Sequence, residues 1–78
     1  MKIYWDGKSK NIIGPRVRKI RLSYDLTQLQ LAEKLQLAGY EMDRITIVRI
    51  ENGTRFVPDY EVKAIAQVLR VSPNDLLQ

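Results

Sequence analysis

MDRITIVRIENG, residues 42–53, carries the start, both faces and the stop of one short helix. On a helical wheel Ile47 and Ile50 share one side, where a core would lie, and Arg44, Ile45, Val48 and Arg49 share the other. Asp43 suits the N-cap, because its carboxylate can accept the unpaired N–H groups of the first turn. Met42 and Ile47 then flank it as a hydrophobic staple. Gly53 suits the left-handed residue that ends a helix, where a side chain would clash. Two arginines and two branched aliphatics on the solvent side of a capped helix point to a surface that enters a partner.

The segment before it follows the same grammar. Thr27 and Gln30 form a T-x-x-Q capping box, with Leu26 and Leu31 as its staple. Leu31, Leu35 and Ala38 continue the apolar face, so a second helix is expected to run to Ala38, with Gly39 as its stop. Tyr40, Glu41 and Met42 complete a short link to the helix quoted first.

Further upstream, a first helix is expected over about 14–24, with Pro15 at the first helical position, where its missing N–H costs nothing. Ile13, Val17, Ile20 and Tyr24 recur at helical spacing as its buried stripe, and Arg16, Arg18 and Lys19 lie off that stripe, facing water. Downstream of the loop at 54–57, Pro58-Asp59 opens a fourth helix with the stripe Val62, Ile65, Ala66 and Leu69. Ser72, Pro73 and Asp75 then repeat the entry grammar as cap, N1 and N3, with Val71 and Leu76 as staple, so a short fifth helix follows.

Residues 1–10, MKIYWDGKSK, do not read as helix. Ile3-Tyr4-Trp5 is strand-like and Asp6-Gly7 is a hairpin-turn dipeptide. Such an arm is either docked by Tyr4 and Trp5 or mobile. The chain therefore divides into an arm at 1–11 and one all-α, five-helix domain at 12–78.

Composition narrows the function. The 78 residues contain no cysteine and no histidine, which removes the usual transition-metal ligands, the commonest general base and the commonest activated nucleophile. That argues against an enzyme and against a metal or other cofactor. No apolar run approaches the roughly 18–20 residues of a membrane span, so a cytoplasmic protein without a membrane partner is expected. The net charge of +4 is uneven: residues 1–21 hold seven Lys/Arg against one acid, and residues 22–78 hold six against eight. A basic end points to a polyanion such as nucleic acid, and it can equally just solvate the chain. A basic arm can also reach along a DNA groove.

Two helices joined by a tight link, the second with a polar outward face, form a helix-turn-helix arrangement. Leu26-Thr27-Gln28, Leu31-Ala32-Glu33-Lys34-Leu35 and Arg49-Ile50-Glu51-Asn52-Gly53 resemble the phage-repressor/Cro-type family, the XRE-like or lambda-repressor-like helix-turn-helix domains. Leu69-x-Val71-Ser72-Pro73 and Leu76-Leu77 are similar to that family's closing segment, so the resemblance covers residues 12–77. It implies a compact lambda-repressor-like fold and a sequence-specific, double-stranded DNA-binding transcriptional regulator, repressor-like, with the third helix (about 43–52) in the major groove.

The resemblance also implies roles for particular residues. Arg44, Ile45, Val48 and Arg49 fall at base-contacting positions. Gln28, Thr46, Asn52, Thr54 and Arg55 fall at positions near DNA phosphates, although Thr46 also borders the core. Arg21 and Glu51 match a structural ion pair tying the first helix to the third. The chemistry agrees: arginine can present two donors to guanine O6 and N7, and Ile45 and Val48 can pack on thymine methyls. Ile45 and Val48 can instead pack under Tyr40 and the link or against a partner protein. The rival reading is therefore an antitoxin-like or other protein-interaction module with the same fold. A homodimer on a near-palindromic operator is expected, with half-sites about 34 Å apart. Val71, Leu76 and Leu77 either form its interface or close the monomer core. One departure stands out: the seven residues 36–42 between Leu35 and Asp43 exceed the family's usual spacing, which brings Tyr40 towards the DNA backbone.

Overall fold

Helices stop where the backbone turns left-handed, and four of the five among the described residues stop that way. The computed structural model describes residues 9–78; the expected strand-and-turn arm with Tyr4, Trp5 and Asp6-Gly7 lies outside them. Among the described residues there are five helices and no strand: α1 (Gly14–Ser23), α2 (Gln28–Leu37), α3 (Arg44–Glu51), α4 (Asp59–Val68) and α5 (Pro73–Leu77). After α2 and α3 the left-handed residue is glycine, Gly39 at φ 96° and Gly53 at φ 79°. After α1 and α4 it is Asp25 at φ 55° and Arg70 at φ 58°. All four ends close with the same pair of bonds; at α2, Gly39 N–H donates to the Gln36 carbonyl and Tyr40 N–H to that of Leu35.

The N-terminal caps are side-chain made where the sequence marks them. The Thr27 hydroxyl accepts from Gln30 N–H while the Gln30 side chain accepts from Thr27 N–H, at 3.0 and 2.8 Å. Ser72 and Asp75 make the same reciprocal pair at the start of α5. α1 has no cap from its own N-cap residue, Ile13. Asn11 supplies it from two residues further back, its Oδ1 accepting from Gly14 N–H at 2.8 Å. The other end of that amide donates to the carbonyls of Ile50 and Arg55, so one side chain joins the start of α1 to the end of α3 and the loop beyond. Lys10 N–H also donates to the Gly53 carbonyl at 2.8 Å, so the last residues of the expected arm are tied to the body.

Ile13, Val17, Leu31, Leu35, Ile47, Ile50, Ile65, Leu69 and Leu76 fill one core, drawn from all five helices and the turn before α1. Each such side chain contributes roughly 1.5–3 kcal/mol on leaving water. Two sequence expectations need correcting. Tyr24 is not part of the α1 stripe: the helix ends at Ser23, the chain turns at Asp25, and Tyr24 is left exposed. The position on that face is taken by Arg21, which is 6% exposed. Ala38 is likewise outside the core, because it is the C-cap of α2 and not its last buried turn. Leu76 belongs to the core, whereas Leu77 remains on the surface.

Candidate nucleic-acid interface

α3 is placed by its buried face. Ile47 and Ile50 are sealed against the core and Met42 closes the space beneath the link, while the Gln36 amide donates to the Met42 carbonyl at 3.0 Å. The lengthened connection is thus an ordered helix end followed by a pinned turn. Tyr40 within it is half-buried against the core and not extended into solvent.

Asp43 starts α3, its Oδ1 accepting from Thr46 N–H at 2.8 Å and from the Thr46 hydroxyl at 2.9 Å. The backbone bond first and the hydroxyl second hold the Asp43 carboxyl below its ordinary value, with nearby Arg49 adding to the effect. The carboxylate stays charged at the helix N-terminus, where the dipole favours it. Its folded value being depressed, this cap contributes above the ordinary carboxylate range and is lost as pH falls through the depressed value.

The opposite face of α3 is open. Arg44 and Arg49 are exposed, Ile45 is half-exposed and Val48 is partly covered. Neither arginine makes a hydrogen bond or ion pair with a described residue, so none of these residues occupies either guanidinium fork. Asn52 caps the far end, its Oδ1 accepting from Thr54 N–H and from the Thr54 hydroxyl. That fixes the amide and leaves its Nδ2 without a partner among the described residues.

Behind this face lies a knot of charge. Arg21 Nε donates to Glu51 Oε2 at 2.7 Å and Nη2 to Oε1 at 3.0 Å, with both side chains more than nine-tenths buried. Arg21 Nη1 donates to the Leu26 carbonyl, and Gln28 Nε2 donates to Glu51 Oε1 at 3.3 Å. α1, the turn before α2 and α3 are therefore cross-braced, and Gln28 is oriented at the head of α2. A second pair, Arg55 with Glu61, joins the loop after α3 to α4, with nitrogen–oxygen distances of 2.5 and 3.1 Å. The Glu61 carboxylate holds the Arg55 guanidinium in its charged form.

The structure brings Gln28, Val48, Glu51 and Asn52 together around an open recess of about 270 Å³. A fifth residue lines it, Arg18, where the apolar stripe of α1 predicts a side chain facing water. The signal was present, since Arg18 precedes Arg21 by three residues and so shares its side of α1. Asn11 is a further residue of the site's support: its capping bond to Gly14 N–H is local and is the signal the sequence carries, whereas its carbonyl partners are far away in sequence.

A helix-turn-helix family model matches residues 17–76, most of the described chain. The chain belongs to the helix-turn-helix family. α2 and α3 are its helix-turn-helix pair, and the protein is a sequence-specific DNA-binding regulator of transcription. Among solved structures it is similar to the restriction-modification controller protein C.AhdI from Aeromonas hydrophila, with a TM-score of 0.72 and 28% identity. The similarity covers 82% of this chain and 86% of that one. No curated protein sequence matches. Among the described residues no helix is long and apolar enough to cross a membrane, and no group of three acidic, His or Cys side chains could hold a metal ion.

Proposed function

We propose that this helix-turn-helix protein reads a double-stranded operator by laying α3 in the major groove, with Arg44 and Arg49 as its base-reading residues. The observation that carries this reading is the pair of arginines, without a partner among the described residues, on the open face of a helix whose other face is locked into the core. Ile45 and Val48 lie between them and supply contact for thymine methyls. Gln28, Asn52 and Thr54 rim the same face and hold the backbone phosphates. Arg55 joins them through the donors that Glu61 leaves over, and Thr46 does so if its hydroxyl exchanges Asp43 for phosphate. The protein acts in the cytoplasm as a repressor-like regulator without a catalytic role.

One module of this size binds weakly, and a near-palindromic site with half-sites about 34 Å apart suits a homodimer. An apolar groove of about 430 Å³ between α4 and α5 supports this, lined by Val57, Val62, Pro73 and the exposed Leu77. A protein partner is the second reading. It is favoured by the half-exposed Ile45 and by Leu37, 89% exposed at the end of α2.

Salt separates the two. Affinity for mixed-sequence duplex DNA is expected to fall linearly in log–log form, with a slope of about −0.9 for each phosphate neutralised. An apolar protein contact gives a nearly flat line. Gln28→Ala is expected to weaken every DNA sequence by the same factor, because a phosphate contact carries no sequence information. Losses confined to particular sequences would remove Gln28 from the backbone set.

A further inference from the structure

The arginines of the described chain differ in what already holds them. Arg21 is spent on Glu51 and the Leu26 carbonyl, Arg55 on Glu61 and the Phe56 carbonyl, and Arg16 donates to the Gln78 side chain. Arg44 and Arg49 point outward from α3. Arg18 is exposed, has no hydrogen bond or ion pair with a described residue, and sits on α1, outside the helix-turn-helix pair.

Its place follows from how α1 meets α3. A Cβ on Gly14 would lie 2.4 Å from the Ile50 carbonyl oxygen, so α1 passes against the end of α3 at that residue. Gly14, Arg18 and Arg21 are spaced four and three residues apart, along one ridge of α1. Gly14 makes the contact, Arg21 makes the buried pair with Glu51, and Arg18 lies between them at the open recess with Gln28, Val48 and Asn52. The recess is open to solvent and so accessible to an anionic group. Arg21 and Glu51 cancel one another there, and Gln28 and Asn52 are neutral. Among the described residues that line the recess, Arg18 is the cation no carboxylate compensates.

We propose that Arg18 is a DNA-backbone contact, a cation on α1 that takes the phosphate lying in the recess between Gln28 and Asn52. The proposal rests on the assignment of this face to DNA and extends the footprint from α2 and α3 to α1. Arg18 then sets affinity and register, not base choice, since a phosphate carries no sequence information.

The test compares wild-type protein with Arg18→Ala, Arg18→Lys, Lys19→Ala and Gln28→Ala on an operator duplex and a mixed-sequence duplex over a salt series. Arg18→Ala is expected to make the log–log slope shallower by about 0.9 and to lower affinity about fivefold at 0.15 M salt, equally on both duplexes. Arg18→Lys recovers most of the slope, because it keeps the charge, and Lys19→Ala, outside the recess, changes it less than Arg18→Ala does. Melting temperature is expected to be unchanged, Arg18 being exposed. An Arg18→Ala protein with the wild-type slope, alongside a weakened Gln28→Ala protein, overturns the role of Arg18 and leaves the DNA face standing. A flat salt response in the wild-type protein overturns the DNA face itself.

Discussion

Arg21→Ala is expected to cost about 3–5 kcal/mol of folding stability, because it leaves the Glu51 carboxylate buried with its main partner gone. A domain of this size has roughly 5–15 kcal/mol to lose, so the variant melts at least about 12 °C lower. The Gln28 amide remains on Glu51, but one neutral donor replaces a bidentate guanidinium. Removing both charges is a different matter. Arg21→Met with Glu51→Leu strands nothing and is expected to recover much of the lost stability, since well-packed apolar replacements of buried pairs are often neutral or better. DNA affinity is not recovered with it, because Gln28 loses the carboxylate that orients it. Thermal denaturation of the three variants checks this; a double variant as unstable as Arg21→Ala would mean that the pair contributes through its shape and not through its charge.

Gly14→Ala is the second large effect, and its sign runs against helix propensity. Alanine in a helix interior normally gains up to about 1 kcal/mol over glycine, and less at a first helical residue such as Gly14. Here the added Cβ meets the Ile50 carbonyl oxygen at 2.4 Å and that of Glu51 at 3.0 Å, both main-chain atoms that cannot swing aside. Overpacking of this kind costs about 1–3 kcal/mol or more, so the clash wins. Relief requires α1 to back away from α3, which also stretches the Asn11 bridge and the Arg21–Glu51 pair. Gly39→Ala is the control: nothing lies within 4 Å of its added Cβ, and it bears only the strain of φ 96°. Denaturant unfolding of both is expected to show Gly14→Ala the more destabilised. A Gly14→Ala protein more stable than wild type would show that α1 does not press on α3 as described.

What the sequence made legible is what local chemistry encodes. Thr27 and Gln30, Asp43, Ser72 and Asp75 announce helix starts through side chains that satisfy free N–H groups, and each does so in the structure. Gly39 and Gly53 announce two stops. Asp25 and Arg70 end helices in the same left-handed backbone without the residue that advertises it, so periodicity carries α1 one residue too far and puts Tyr24 in the core. The outward set on α3 followed from periodicity alone. The buried Arg21 and Glu51 entered only through family resemblance, since charge at a core position runs against the apolar pattern. Only the capping half of Asn11 is local, its bond from Gly14 N–H; the bridge it makes to acceptors 39 and 44 residues away leaves no mark in the sequence. A charge off the apolar stripe, such as Arg18, reads as solvated until the neighbouring helix is in place.

The central claim is that the guanidinium groups of α3 read bases. Selection of bound duplexes from a randomised pool by wild-type, Arg44→Ala and Arg49→Ala proteins tests it most directly. Each substitution is expected to flatten preference at its own base pair in each half-site, a loss of about 1–3 kcal/mol of discrimination, while preferences elsewhere in the site persist. If both variants select the wild-type site with uniformly reduced affinity, those arginines hold the backbone, and α3 does not read the groove as proposed.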